Sequence, residues 1–146
     1  MINATNNIVK GERRNAPGSG KKSMYEVTIK KTFSAAHILK EIGGKCEDLH
    51  GHNFIVEVTV RGKSLNEEDI LIDFRDLKRW TNEVMEALDH KYLNEIEVFK
   101  GMNPSSERIA RYIHDRLTDM IKPTNLSVAR VTVWESENAR VAHYNE

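Results

Sequence analysis

The run from His50 to Gly62, HGHNFIVEVTVRG, alternates with a period of two. His50, His52, Phe54, Val56, Val58 and Val60 share one parity, and Glu57, Thr59 and Arg61 share the other. Successive side chains of a strand point to opposite faces, so the pattern predicts a strand with one apolar face that carries two imidazoles at its start. Upstream, Tyr25, Val27, Ile29, Phe33, Ala35 and His37 also fall in one parity. That predicts a partner strand, joined through a loop that holds Gly43 and Gly44.

The remaining elements follow from the same periodicities. Gly62 marks a turn, after which ILIDF (70–74) reads as a short strand whose Asp73 can cap a helix. In FRDLKRWTNEVMEAL (74–88), Leu77, Trp80, Val84 and Leu88 recur at helical spacing, and Asp76 stands where a capping box places its acid. A second helix lies in NPSSERIARYIHDRLTDMI. Ser105 or Ser106 is its N-cap, Ile109, Ile113, Leu117 and Met120 or Ile121 form its stripe, and Pro123 closes it. LSVARVTVWES and ARVAHYNE read as two last strands around a turn at Glu137 and Asn138. The expected fold is α+β: a four-stranded antiparallel sheet with two helices on one face. The other face is expected to keep apolar residues, most economically covered by another copy of the chain.

Composition narrows the function. A length of 146 residues suits one domain. Lys plus Arg and Asp plus Glu each total 22, which favours neither nucleic acid nor a membrane surface as partner. One cysteine allows no internal disulfide, and no apolar run approaches the roughly 18 residues of a spanning helix. A reducing cytoplasm is the expected compartment. Residues 1–23 read as a flexible polar tail, and 24–146 as the folded domain. The tail carries Lys10, Arg13, Arg14, Lys21 and Lys22 against Glu12; a solvated extension is preferred over a polyanion-binding arm.

An H-x-H pair on a strand brings two imidazoles to one side, and an antiparallel hairpin can set His37 opposite them. Three imidazoles that leave a fourth position free describe a catalytic zinc site, although ligand type leaves iron, nickel and copper open. Taken alone, H-x-H is more often an ordinary pair of hydrogen-bonding histidines. His114 and His143 read as surface histidines. Cys46 has four readings: fourth ligand, nucleophile, proton-transfer group or buried filler. Asp89 beside His90 reads equally as an acid–base pair or as a turn at a helix end. Glu135 stands in parity with Ala129, Val131 and Val133, where an apolar residue is expected. It asks for a partner, either a salt bridge, which is preferred, or the paired N–H groups of a planar heterocycle.

Together, FSAAH, CEDLHGHNF, LIDF, LDHKYLN, NPSSE and WES, in that order over residues 24–144, resemble the 6-pyruvoyltetrahydropterin and 6-carboxytetrahydropterin synthase family. The resemblance implies the tunnelling fold, a trimer closing a 12-stranded barrel, two trimers stacked as a homohexamer, and sites between subunits. It implies one zinc per subunit on His37, His50 and His52, with Cys46 as catalytic thiol and Asp89 and His90 as its partners. Glu135 then anchors the pterin, with Ser105, Ser106 and Glu107 beside the ring, and Lys40 and Lys45 are candidates for the triphosphate. Three residues between Cys46 and His50 resemble the queuosine-pathway branch. That branch converts 7,8-dihydroneopterin triphosphate into 6-carboxy-5,6,7,8-tetrahydropterin, acetaldehyde and triphosphate. Glu47 is similar to a base in members that cleave the dihydroneopterin side chain for folate; a solvated loop acid is the preferred reading. The alternatives are the pyruvoyl-forming reaction, that folate-branch cleavage, a zinc hydrolase and a non-enzymatic zinc-binding oligomer.

Overall fold

The computed structural model describes residues 22–146; all but two residues of the expected tail lie outside them. Strand β1 (Tyr25–His37) and strand β2 (His50–Gly62) pair antiparallel without a slip from Tyr25↔Gly62 to His37↔His50. A short 3-10 turn, Gly44–Glu47, sits in the loop between them. Helix α1 (Phe74–Met85) leads to β3 (Lys91–Tyr92), followed by α2 (Ser106–Ile121), β4 (Ser127–Ser136) and β5 (Ala139–His143). The sheet order is β3-β1-β2-β4-β5.

Two expectations about the sheet are corrected. It has five strands and is mixed, because Lys91–Tyr92 runs parallel to Ala35 and Ala36 at the outer edge of β1. And ILIDF is not a strand. Asn66 Oδ1 accepts from the amides of Glu68 and Ile70 and curls the segment, Asp73 is committed to capping α1 through the Arg75 amide, and both flanks of β2 are already taken by β1 and β4. Leu71 instead folds against the end of β2, where a Cβ on Gly62 would lie 2.7 Å from Leu71 Cδ1.

Both helices cover one face. Phe33, Phe54, Val56, Val58, Val60, Val131 and Val133 meet Leu77, Val84, Leu88, Ile109, Ile113 and Leu117 in a single buried cluster. Phe33 and Phe54, opposed in the register, stack at 4.9 Å between ring centroids. The opposite face is mostly polar, contrary to the expectation of apolar residues. Thr28 and Thr59 share a hydrogen bond, Ser34 donates to Asn53, and Lys30 pairs with Glu57 at 3.3 Å. Ile55 opposite Trp134 is the apolar exception in the β2–β4 register. No helix among the described residues is long and apolar enough to cross a membrane.

Candidate metal and acid–base site

The gapless register of β1 and β2 carries His37 to a position opposite His50, and Ala35 opposite His52. Three imidazoles thus emerge on the helix-covered face, just beyond Phe54, which meets His37 at 5.8 Å and His52 at 5.2 Å between centroids. The three rings lie 4.5, 4.8 and 5.1 Å apart. Glu135 joins them from β4. A bulge opposite Thr59/Val60 takes Ala129 out of the ladder, so Val128, not Ala129, faces the core with Val131 and Val133, and Glu135 continues that face.

The start of α2 organises the cluster from above. His37 Nδ1 donates to the Pro104 carbonyl at 2.9 Å, and Ser106 Oγ donates to Glu135 Oε2 at 2.6 Å. His50 Nδ1 donates to the Asp48 carbonyl at 2.7 Å. With Nδ1 carrying the proton, Nε2 of His37 and His50 keeps its lone pair for a ligand, which is the arrangement that backbone carbonyls enforce on metal-binding histidines. Nε2 of His37 and of His52 is buried with no hydrogen-bond partner. His52 Nε2 does lie 3.0 Å from Glu135 Oε1, but the two are misaligned for a hydrogen bond, so proximity and not bonding describes the pair. Burial holds the His37 and His52 imidazoles below their usual pKa, with Pro104 and Glu135 respectively acting in the opposite direction. Glu135 therefore finds a histidine and a serine as neighbours, not the arginine or lysine of a salt bridge.

The donor atoms of His37, His50, His52 and Glu135 all lie within 4.8 Å of one another. Nitrogen ligands around a tetrahedral ion with bonds of ~2.0–2.1 Å stand roughly 3.3 Å apart. Modest ring movements therefore close this set around a divalent transition ion, and the two orphaned Nε2 atoms are the kind of buried polar group that such an ion satisfies.

Cys46 lies on the 3-10 turn, half-buried, outside this four-donor group. Its carbonyl accepts from the Leu39 amide at 2.9 Å, which ties the turn to the end of β1. Glu47 is exposed, and its carboxylate accepts from the Gly43 amide at 3.0 Å within the same loop. Lys40 and Lys45 are exposed. Asp89 and His90 stand at the outer edge of β1, apart from the four-donor group. Asp89 Oδ1 accepts from the Ser34 amide and from His90 Nδ1, each at 2.9 Å, and the Ser34 amide is the main cause of its lowered carboxyl pKa. The His90 amide donates to the Ser34 carbonyl at 2.6 Å while its backbone holds φ 57°, a conformation uncommon outside glycine. Its side chain is 82% exposed, above an open hollow of about 490 Å³ that also touches Gly51, His52 and Tyr92. Ser105 is the N-cap of α2, accepting from the Arg108 amide, and Glu107 is exposed in the first turn.

Sequence reasoning missed several groups. Asn94 clasps Ile38 through both its amide and carbonyl, and Asn103 does the same to Lys40, so two side chains continue the β1 ladder past His37. The Pro104 and Asp48 carbonyls have no sequence signal. His114, expected on the surface, is 1% exposed, and His143 is half-buried against it. The α2 stripe is wider than the Ile109–Ile113–Leu117 line, and the pair Ala110/His114 beside it is the signal that was available.

Over residues 26–146 the chain matches the family described as 6-pyruvoyl tetrahydropterin synthase. A relative from Archaeoglobus fulgidus, named as a putative 6-carboxy-5,6,7,8-tetrahydropterin synthase, is 44% identical, with 77% of this chain and 89% of that protein covered. The dihydroneopterin monophosphate aldolase of Pyrococcus furiosus is 34% identical, over 75% of this chain and 88% of its own. The solved 6-pyruvoyl tetrahydropterin synthase of Caenorhabditis elegans superposes with a TM-score of 0.75 at 25% identity, covering 85% of this chain and 97% of that one.

Proposed function

The chain belongs to the 6-pyruvoyl tetrahydropterin synthase family, and on that premise we propose that it is a 6-carboxy-5,6,7,8-tetrahydropterin synthase. Its substrate is 7,8-dihydroneopterin triphosphate; its products are 6-carboxytetrahydropterin, acetaldehyde and triphosphate, on a route to queuosine. The observation that carries the metal-dependent pterin reading is the convergence of His37, His50, His52 and Glu135 with two buried, unpartnered Nε2 atoms. The choice of branch is supported by the 44%-identical relative and by the Cys46-to-His50 spacing.

His37, His50 and His52 would hold one zinc per subunit, which would supply Lewis acidity toward the hydroxyls of the substrate side chain. The Cys46 thiolate takes the carbon-bound proton next to the pterin ring. His90, oriented by the Asp89 carboxylate, moves protons during loss of triphosphate and cleavage of the side chain. Glu135 accepts paired N–H bonds from the pterin, and the Ser106 hydroxyl on its other oxygen steadies the carboxylate for that task. Ser105 and Glu107 flank the ring, and Lys40 and Lys45 face the triphosphate.

Subunit assembly completes the site. Beyond the two-residue contact with β3, the outer edge of β1 has no sheet partner among the described residues, and neither does the outer edge of β5. Open edges invite pairing. Three chains joined edge to edge through β1, β2, β4 and β5 close a 12-stranded barrel, two barrels stack as a hexamer, and the polar sheet face lines a watery tunnel. Asp89 and His90, at the β1 edge, then serve the cluster of the neighbouring chain. The cytoplasm is the compartment for this chemistry.

Product identity tests the proposal. Zinc-loaded protein is incubated with 7,8-dihydroneopterin triphosphate and the products are weighed by mass spectrometry. Acetaldehyde with 6-carboxytetrahydropterin is expected. A pyruvoyl pterin means the animal-type reaction instead, and a 6-hydroxymethyl pterin would give Glu47 the role of base that its bond to Gly43 argues against.

A further inference from the structure

A second donor cluster lies between α2 and the edge strand β5. A ring nitrogen of His114, an oxygen of Asp115 and a ring nitrogen of His143 all lie within 4.8 Å of one another. It shares no residue with the first cluster. His143 pairs with Val131 on β4, and Glu135 stands four positions further along that strand, ~13 Å at ~3.3 Å per residue.

Geometry prepares His114 as a ligand. Its ring is buried, and Nε2 lies 3.2 Å from the Val128 carbonyl, an acceptor that requires the proton on Nε2. Nδ1 is then left with its lone pair, 3.5 Å from the Thr118 hydroxyl and 3.7 Å from Asp115 Oδ1. The His143 ring stands edge-on to it, 4.9 Å between centroids and 82° between planes. A separation of 3.7 Å is close to the roughly 3.3 Å between adjacent ligands of a tetrahedral ion. Asp115 presents Oδ1 inward while Arg111 holds Oδ2 from outside at 3.6 Å, so both a histidine and the carboxylate have an outer partner that fixes the ligating atom.

We propose that His114, Asp115 and His143 form a second divalent transition-metal site, of the zinc, cobalt or nickel class, that cross-links α2 to the C-terminal edge strand β5. Two nitrogens and one carboxylate oxygen suit these ions and leave a fourth position for water. The staple acts at one edge of the sheet, on a strand only five residues long. It is independent of the pterin reading.

The test is metal stoichiometry, by equilibrium dialysis of stripped protein against zinc followed by elemental analysis. The intact chain is expected to bind one zinc more than either His143→Asn or Asp115→Asn. His143→Cys, which replaces one zinc ligand with another, is expected to restore it. His50→Ala, in the first cluster, is expected to leave this site filled. Asp115 is 56% exposed at its side chain, so its substitution reports on ligation without disturbing the core. Equal zinc content in the intact chain and in folded Asp115→Asn and His143→Asn would overturn the proposal.

Discussion

At the scale of single residues, the site depends on which nitrogen of each histidine carries the proton. The Pro104 and Asp48 carbonyls hold Nδ1–H of His37 and His50, which turns both Nε2 atoms toward a shared centre. Removing one imidazole leaves this cluster too few ligands, so His50→Ala is expected to bind one zinc fewer than the intact chain by elemental analysis, and full retention would refute the ligand assignment. Acid acts through the same rings. Burial keeps the His37 and His52 pKa values below 6.5 in the folded chain. Below pH 6.5, therefore, the unfolded chain binds protons that the folded chain refuses. Metal-free protein is thus expected to hold its full stability above pH 6.5 and to lose stability as pH falls through the folded values, as urea midpoints across that range will report. H-x-H and its partner His37 were legible in the sequence because strand parity is local. The orienting carbonyls were not, since Pro104 reaches His37 only through the placement of α2. The buried state of His114 was hidden for a similar reason: two strands, not one, pack against that helix face.

At the scale of elements, β2 was the most readable part of the chain, because a central strand with one buried face must alternate. The segment 70–74 was the least. Its composition fits a strand, but Asn66 and Asp73 commit the flanking backbone to a turn and a cap, and both flanks of the preceding strand β2 are taken by β1 and β4. The β4 bulge was equally invisible, yet it decides that Val128 and Glu135 share the buried face. Helix α2 joins stability to function, since its first turn carries both Ser105, the cap, and Ser106, the partner of Glu135. Ser105→Ala leaves the Arg108 amide without its side-chain acceptor and is expected to lower unfolding free energy by about 1 kcal/mol, measured by urea denaturation.

At the scale of the whole molecule, one chain assembles the four-donor cluster but leaves Asp89 and His90 at an edge of the sheet. The sequence had suggested self-association from an apolar second face. The structure removes that reason, because the face is mostly polar; the proposed assembly rests instead on the outer edges of β1 and β5, which, apart from the two-residue contact with β3, have no sheet partner among the described residues. Light scattering of the intact protein is expected to return six times the 16.8 kDa chain mass, and a stable monomer would remove the shared-site account. The most direct test of the chemistry compares acetaldehyde release from 7,8-dihydroneopterin triphosphate by the zinc-loaded protein and by Cys46→Ala. Loss of one positioned acid–base group removes roughly 10²–10⁴-fold in rate, so the variant is expected to keep its zinc and its assembly while its turnover falls by that factor. Equal release from both, or none from the intact protein, would contradict the assignment of this chain to thiol-dependent cleavage of the pterin side chain.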